Sequence, residues 1–375
     1  MSVRKRTWTT RKGEAKEAWI VDYADGTGQR RIRTFDRKKE ADAYAAKARV
    51  EVGAGTHIAL SGDITIAVAA ENWIKRVEAE GRERGTLRQY RQHIDLHIVP
   101  RIGRLKLAKL TGRDIEHFRD ALLAGMSRAL ARKVLVSLKS LLKVAHCGHV
   151  TADVSIGKSQ RAERKLEIGR DIPTPGEIKR LVEATANKPK LRALLLTAAM
   201  TGLRASELRG LRWSDVDLKA EELHVRQRAD RFCAIGAPKT EESRRTVPLA
   251  PDVLFALKQW KLACPKGALD LVFPTARGAI EYHANTLRSL HPVMRDAGVV
   301  DKDGKSKYAL HAFRHFFASW CINPKERGGR ELPAKVAQTL LGHSSITMTL
   351  DRYGHLFPSG SDRTELAEAA RTLLA

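Results

Sequence analysis

Two stretches without apolar periodicity interrupt this chain and argue against a single compact domain. Residues 53–63 read GAGTHIALSGD, and residues 155–175 read SIGKSQRAERKLEIGRDIPTP. Neither has the apolar spacing of a buried helix or strand, so we expect both to be linkers. The length of 375 residues also favours two or three domains over one. The predicted domains are residues 1–60, 64–155 and 170–375.

The first segment predicts a small α+β module. Trp19, Val21 and Tyr23 alternate as in a strand, the sequence DGTG predicts a tight turn, and a second, basic strand follows. The next stretch, KKEADAYAAKARVEV, has apolar residues at helical spacing. The arginines after the turn have two interpretations, a solvated strand face or a strand laid against a DNA groove. They are Arg30, Arg31 and Arg33.

The second segment predicts four or five helices joined by short loops, as in a bundle. Thr111 is a candidate cap for a helix that buries Ile115, Phe118 and Leu122. Another helix, TLRQYRQHIDLHIVPRIG, is expected to begin with a threonine cap and to stop before Pro100. Basic residues on several faces are either ordinary surface or a clamp on DNA; these are Arg88, Arg91, Arg128, Arg132, Lys133 and Lys139.

Charge indicates the class of partner. The chain has 68 Lys and Arg against 43 Asp and Glu, a net charge of +25. A polyanion is therefore expected, with nucleic acid as the first candidate, although charge alone does not separate DNA from RNA or an anionic membrane. No apolar run long enough to span a membrane is present. The basic start MSVRKRTWTTRKGEAK lacks a following apolar region, so no secretory signal is expected.

The cysteines and histidines do not indicate a metal site. The sequence has no CxxC pair and no HExxH motif. Scattered cysteines of this kind are expected to be buried thiols in a reducing cytosol. They are Cys147, Cys233, Cys264 and Cys321.

Four separated pieces of the third segment contain residues suited to phosphate chemistry. In TGLRASEL, Gly202 is expected to break a helix, and Arg204 and Glu207 then share one face of the next. The glutamate either holds the arginine for a ligand or forms a plain surface ion pair. In APKTEESRRTVPLA, a predicted strand–turn–strand, Lys239 at the mouth of the turn either reaches into a cleft or is an ordinary hairpin lysine.

The other two pieces supply histidines, an arginine and a tyrosine. In HAFRHFFASW, His311 and Arg314 lie near a predicted helix start, where backbone N–H groups favour anions. In LGHSSITMTLDRYGH, His343 follows a glycine turn and Tyr353 follows ten residues later. Each has a structural alternative, a packed histidine or a buried tyrosine ring with a hydrogen-bonded hydroxyl.

Together and in this order, the four pieces resemble the tyrosine recombinases, and in particular the lambda-type phage integrases. The resemblance implies a three-stranded sheet plus helix that binds arm-type DNA, a helical SAM-like core-binding domain and a mixed α/β catalytic domain. The whole is then mainly α with small β elements. It also assigns the catalytic residues by motif, with Glu207 as a supporting residue. They are Arg204, Lys239, His311, Arg314, His343 and Tyr353.

The resemblance further implies a mechanism. Tyr353 attacks a DNA phosphate to form a 3′-phosphotyrosyl bond, and a 5′-hydroxyl later attacks that bond. Arg204 and Arg314 bind the non-bridging oxygens with help from His343, because guanidinium groups stay charged and grip oxygens through paired N–H groups. His311 is the expected proton acceptor and Lys239 the expected donor. No cofactor and no metal are expected.

Strand exchange between two duplexes requires four active sites, so the resemblance implies a homotetramer on double-stranded DNA, for integration or excision of a phage or mobile element. Accessory bending or excisionase proteins are compatible with this function, and the expected location is the bacterial cytoplasm or nucleoid, without a membrane. A carboxyl-terminal apolar stripe is expected to pack on its own domain or on a neighbouring subunit; it comprises Leu366, Ala370, Leu373 and Leu374. The rival interpretations are an inactive integrase-like DNA-binding protein, a topoisomerase and a metal-dependent nuclease or transposase.

Overall fold

The computed structural model describes residues 1–9, 15–25, 28–53, 64–157, 165–357 and 371. Two compact units divide the chain, Met1–Ala162 and Glu163–Ala375. Within the described residues, no helix is both long enough and apolar enough to cross a membrane. The protein is mainly helical with small sheets, as the sequence predicts.

The chain begins with a three-stranded antiparallel sheet and a helix. The strands β1 (Ser2–Thr9), β2 (Ala15–Ala24) and β3 (Arg30–Phe35) follow one another in space, and α1 (Lys38–Gly53) comes after them. The backbone N–H of Gln29 donates to Oδ1 of Asp25 over 3.0 Å and closes the turn between β2 and β3. The predicted strand, turn, basic strand and helix are therefore confirmed.

Helix α1 covers one face of this sheet. Val21 and Tyr23 pack with Ala41 and Ala45 in a small buried cluster. The hydroxyls of Tyr23 and Tyr44 lie 2.9 Å apart across the same interface. Because successive side chains of a strand point to opposite faces, the sheet has a second face that α1 does not cover.

The next region is helical, as predicted. Its longer helices are α2 (Ile66–Ala79), α3 (Arg84–His93), α5 (Gly112–Gly125) and α6 (Arg128–Val144). Thr111 caps α5 in a capping box with Asp114, which confirms the predicted cap. The predicted stripe of Ile115, Phe118 and Leu122 is buried in the core of this region.

The structure corrects the predicted bounds of the second helix of this region. Helix α3 begins at Arg84, with Glu83 as a cap residue whose side chain makes no capping bond, so the threonine cap is wrong. The predicted stop before Pro100 is also wrong. A π-helical segment, Ile94–Ile98, leads directly into α4 (Val99–Ile102), where Pro100 lies in the first turn. A proline is tolerated there because the first turn does not need its missing N–H.

The second unit is built around the buried helix α8 (Pro189–Thr201). Residues 193–199 are buried on all sides, which is typical of a central helix. Helices α10 and α12 pack against it. The remaining helices are α7 (Pro175–Glu183), α9 (Ala205–Gly210), α10 (Pro251–Ala263), α11 (His283–Asp296), α12 (Leu310–Ile322), α13 (Ala334–Leu341) and α14 (Ile346–Tyr353).

Two small antiparallel sheets complete this unit. One has the order β4 (Val216–Asp217), β5 (Glu222–Val225) and β8 (Arg245–Pro248), and the other joins β6 (Arg228–Ala229) to β7 (Ile235–Gly236). The predicted hairpin across APKTEESRRTVPLA is therefore wrong. Strand β8 buries Val247 opposite Leu223 of β5, whereas the exposed β7 pairs with β6. Burial of apolar side chains decides the partner of β8.

Candidate active site

The first arginine of the site lies at a sharp break between two helices. Gly202 ends α8 with a φ of +64°, a left-handed conformation that favours glycine. A Cβ atom at this position would lie 2.3 Å from Cδ1 of Phe317 in α12. Arg204 then caps the start of α9. The predicted break at Gly202 is confirmed, and it places Arg204 close to α12.

Glu207 organises two arginines around one buried carboxylate. Nη1 of Arg204 donates to Oε1 over 2.7 Å, and the Arg204 backbone N–H donates to Oε2 over 2.9 Å. Nη2 of Arg245 donates to Oε2 over 3.0 Å. Burial acts to raise the pKa of the Glu207 carboxyl, but Arg245 and Arg204 outweigh it and hold the pKa below its usual value. This pair is therefore no plain surface ion pair.

Backbone carbonyls hold the two predicted phosphate-binding arginines next to each other. Nη2 of Arg204 donates to the Gly342 carbonyl over 2.8 Å. Nη2 of Arg314 donates over 2.6 Å to the carbonyl of the preceding residue, Leu341. Nη1 of Arg314 donates over 2.6 Å to the Gly202 carbonyl. Consecutive carbonyls at the end of α13 thus bring together arginines that are 110 residues apart in the chain.

The positive charge of this cluster exceeds its local negative charge. Arg314 is 2% exposed. Burial, together with the like charges of Arg204 and Arg245, lowers its pKa to about 9, so it remains a cation at neutral pH. Arg204 and Arg245 share the single carboxylate of Glu207, and Arg314 is held by carbonyls that do not neutralise it. An anion placed beside them would relieve this repulsion, so the cluster suits a phosphate.

Lys239 lines the same pocket as Arg204. It is exposed, in the connection that follows β7 and leads to a 3-10 turn, Glu241–Ser243. The pocket has a volume of about 200 Å³. Its lining includes three basic residues and one acid, and comprises Arg204, Ser206, Glu207, Arg228, Lys239, Thr240, Ser243, Gly342, Ser344 and Met348.

The short helix α14 places Tyr353 at its last position. Ser345 caps the helix by accepting from the Met348 backbone N–H over 3.3 Å. The helix buries Thr349 and Tyr353 and leaves its apolar residues Ile346, Met348 and Leu350 partly exposed. Leu341, which precedes the helix, is buried.

Tyr353 is 2% exposed in this structure. Its hydroxyl lies 2.7 Å from Nδ1 of His315. The ring of His343 stacks on its ring, with centroids 6.3 Å apart and planes within 3°. Burial raises the pKa of the Tyr353 hydroxyl to about 12, against the pull of Arg314, Arg352 and Arg204. Tyr353 is therefore a packed ring with a hydrogen-bonded hydroxyl, and it also lies within the field of the arginines.

The two predicted histidines lie on either side of this tyrosine. His343 is buried, and its Nδ1 lies 2.9 Å from the Thr349 hydroxyl. Burial and the charges of Arg314, Arg204 and Arg245 lower its pKa to about 3, so it is neutral. His311 opens to solvent at the start of α12, and desolvation together with Arg314 lowers its pKa. The ring centroid of His311 lies 4.4 Å from that of His315.

Two site residues are absent from the sequence-based assignment. His315 contacts the Tyr353 hydroxyl, and Arg245 shares Glu207 with Arg204. Arg245 also donates to the carbonyls of Leu340 and Ser243 over 2.7 and 3.0 Å. A signal existed for His315, because it lies one helical turn after His311. No local signal exists for Arg245, whose partners are far away in sequence.

The three arginines of β3 lie on different faces. Arg31 and Arg33 are opposite Tyr23 and Val21, on the face that α1 covers, and Arg30 is on the other. Nε of Arg30 donates to Asp22 over 3.0 Å, and Nε of Arg31 donates to Asp25 over 2.8 Å. The Arg33 guanidinium lies 4.3 Å from the centre of the Tyr44 ring. Only Arg30 among them presents its side chain on the uncovered face.

The predicted DNA-binding arginines of the helical region have differing environments. Arg88 is exposed on α3, and Arg91 forms an ion pair with Glu71. Arg132 on α6 donates to the Ile156 carbonyl over 3.2 Å, and Arg128 donates to the Gly157 carbonyl over 3.5 Å. Exposed Lys133 and half-buried Lys139 lie on the same helix. Arg128 and Arg132 therefore hold the backbone of residues 156 and 157 against α6.

The other sequence-based expectations concern thiols, metals and the carboxyl terminus. All four cysteines are free; Cys147 and Cys321 are buried, while Cys233 and Cys264 are half-buried. In the described ranges no group of three or more His, Cys, Asp or Glu side chains is placed to hold a metal ion. The apolar stripe at residues 366–374 lies outside the described residues.

Two parts of this chain match known protein families. Residues 173–359 match the phage integrase family, and residues 65–123 match the phage integrase N-terminal SAM-like domain. A tyrosine recombinase XerC-like protein of Caldanaerobacter subterraneus subsp. tengcongensis is 27% identical over 86% of this chain and 86% of its own length. The tyrosine recombinase XerC of Xanthomonas axonopodis pv. citri is 30% identical over 65% of this chain and 74% of its own length.

Solved structures show the same fold. A lambda integrase tetramer bound to a Holliday junction aligns with a TM-score of 0.57 and 20% identity. The alignment covers 94% of this chain and 94% of that chain. At this identity the likeness concerns the fold alone.

Proposed function

This chain belongs to the phage integrase family of tyrosine recombinases, which are site-specific DNA recombinases, and we propose that it cleaves and rejoins DNA through a 3′-phosphotyrosyl intermediate of Tyr353. One observation supports this most strongly. Consecutive carbonyls at Leu341 and Gly342 hold Arg314 and Arg204 side by side, within the same cluster as Tyr353.

The arginines are proposed to bind the scissile phosphate. Attack on a phosphodiester concentrates negative charge on the equatorial oxygens, so fixed cations that match the transition state lower the barrier. The carbonyls that hold Arg204 and Arg314 fix their geometry before DNA arrives, so little reorganisation is needed when the charge develops. His343 is neutral at neutral pH and donates one further hydrogen bond to the phosphate.

The nucleophile must lose a proton and the leaving group must gain one. In the proposed step the Tyr353 hydroxyl oxygen bonds to phosphorus, the bond from phosphorus to the 5′ oxygen breaks, and one of the neighbouring histidines takes the phenolic proton. Lys239, which lines the pocket beside Arg204, protonates the departing oxygen. Because Tyr353 is buried here, its hydroxyl must gain access to the phosphate before it reacts.

Double-stranded DNA is the proposed substrate, bound as part of a homotetramer that integrates or excises a mobile element. The net charge of +25 supports a polyanionic partner. The face of the amino-terminal sheet opposite α1, with Arg30 of β3 and Arg4 and Arg6 of β1, is the proposed arm-type contact. The helical region, through exposed Arg88, is the proposed core-type contact.

A suicide DNA substrate, nicked next to the crossover, tests the proposal. Loss of the short cleaved fragment traps the covalent adduct, which a denaturing gel separates from free protein. The parent protein should form the adduct, and Tyr353→Phe should bind the DNA without forming it. Tyr282→Phe is the matched control, because Tyr282 is an exposed tyrosine of the same unit. An equal amount of adduct from Tyr353→Phe and the parent would show that Tyr353 is not the nucleophile.

A further inference from the structure

A histidine that the family motif does not assign contacts the proposed nucleophile. Nδ1 of His315 lies 2.7 Å from the hydroxyl oxygen of Tyr353, and both side chains are buried. His311 lies one helical turn earlier, with its ring against that of His315. Within the described part of the chain, the Tyr353 hydroxyl hydrogen-bonds to His315 and not to His311.

We propose that His315 is the catalytic residue that accepts the phenolic proton of Tyr353. This inference rests on the proposed function. In the cleavage step the proton passes from the Tyr353 hydroxyl to Nδ1 of His315 as the oxygen–phosphorus bond forms. When a 5′-hydroxyl later attacks the phosphotyrosyl bond, the same proton returns to the departing phenolate.

The proposed proton transfer requires one tautomer of His315. Tyr353 can donate only if Nδ1 is unprotonated, so the ring proton is on Nε2. A base also has to be neutral before the reaction. Burial and the nearby charge of His311, Arg352 and Arg314 lower the pKa of His315 to about 4, while Asp171 opposes this shift. His315 is therefore neutral at pH 7 and available to accept a proton.

The same charges connect proton transfer to phosphate binding. Without DNA, the pKa of Tyr353 is about 12 and that of His315 about 4, so the proton stays on the phenol. Arg314 is both a neighbour that depresses the pKa of His315 and a proposed ligand of the phosphate. A bound phosphate offsets this positive charge and makes His315 more basic. The same offset weakens the pull of Arg314 and Arg204 on the Tyr353 hydroxyl, so a bound phosphate changes the base and the nucleophile together.

A substrate with a sulfur in place of the bridging 5′ oxygen isolates this step. A thiolate leaves without a proton donor, so the rate of adduct formation reports attack by Tyr353. His315→Asn retains an acceptor oxygen near the Nδ1 position but cannot take a proton. At pH 7 its single-turnover rate should fall by about 10²–10⁴-fold. The residual rate should rise about tenfold per pH unit, because hydroxide then removes the proton.

His311→Asn is the matched variant, one turn away on the same helix. Whatever its absolute rate, its pH profile should keep the shape of the parent profile. If His311→Asn gains the steep pH dependence and His315→Asn does not, His311 is the acceptor and this inference is wrong, while the role of Tyr353 stands. A parent-like rate and profile for His315→Asn also overturn it. Adduct formation by Tyr353→Phe would instead contradict the proposed function.

Circular dichroism shows whether His315→Asn folds. If it does not, a second measurement, on the unsubstituted protein, tests the proposal. Nitrogen-15 NMR of the histidine rings in the unsubstituted protein should show unprotonated Nδ1 at His315 at pH 7. The Nδ1 signal should shift in Tyr353→Phe, which removes the donor. A protonated Nδ1 in the resting protein would overturn the inference.

Discussion

The arginines of the amino-terminal sheet and those of the candidate active site differ in how far backbone carbonyls hold them. In the sheet, Arg30 and Arg31 donate to the carboxylates of Asp22 and Asp25. In the site, Arg314 donates to backbone carbonyls, and Arg204 shares its one carboxylate with a further arginine. A carboxylate partner cancels charge, whereas a carbonyl fixes geometry and leaves the charge for a ligand. The hydrogen-bond partners of the arginines therefore indicate a ligand site better than the number of arginines does.

The largest expected effect comes from replacing the carbonyl-held arginine. Arg314→Lys places one ammonium where a planar guanidinium spans the carbonyls of Gly202 and Leu341. We expect the single-turnover cleavage rate to fall by about 10²–10³-fold, as for loss of a transition-state donor. Quenched-flow analysis of adduct formation measures it.

Arg209→Lys is the control for this substitution. Arg209 is also buried and donates to the carbonyls of Glu281 and Asp230, away from the site. Its replacement should lower thermal stability without a comparable loss of rate per folded molecule. Equal loss of rate in both variants would mean that any carbonyl-held arginine matters only for folding.

A smaller effect is expected from disturbing the carbonyl that Arg314 uses. Gly202→Ala forces a Cβ to within 2.3 Å of Phe317 and a side chain into a left-handed backbone conformation. Overpacking and backbone strain together should lower the free energy of unfolding by about 2–4 kcal/mol. Urea unfolding followed by circular dichroism measures this change.

Gly298→Ala separates the two causes. Gly298 has a similar φ of +65°, but a Cβ there would meet no atom within 4 Å. The free energy of unfolding of Gly298→Ala should fall by about 1 kcal/mol, from backbone strain alone. If the two substitutions lower the free energy of unfolding equally, the contact with α12 is not the reason that position 202 requires glycine.

The smallest expected effect is in the amino-terminal sheet. If Arg30 contacts one DNA phosphate, Arg30→Gln should reduce the slope of log affinity against log salt by about 0.9. Arg33→Gln, on the face covered by α1, should leave the slope unchanged. Fluorescence anisotropy at several salt concentrations measures both. An equal change in both variants would show that the covered and uncovered faces do not differ in DNA binding.

The sequence allowed the local parts of this structure to be predicted. The break at Gly202, the Thr111 cap and the basic hairpin all depend on residues within a few positions of each other, and all are confirmed. The proximity of Arg204 to Glu207 follows from helical spacing in the same way.

Long-range pairing could not be predicted from local patterns. Strand β8 pairs with β5 and places the buried Val247 opposite the buried Leu223, and nothing within APKTEESRRTVPLA indicates this. Helix α14 buries Thr349 and Tyr353 and exposes its more apolar residues, against the usual preference. The contact between His315 and Tyr353 likewise depends on how α14 lies against α12.

The connection between α13 and α14 has a mechanical consequence. The carbonyls that grip both arginines belong to Leu341 and Gly342, and α14 begins only four residues after Gly342. We expect a displacement of α14 that exposes Tyr353 to strain this short connection and to move the two carbonyls. If Tyr353 is the nucleophile, its release and the binding of a phosphate by the arginines would then be coupled.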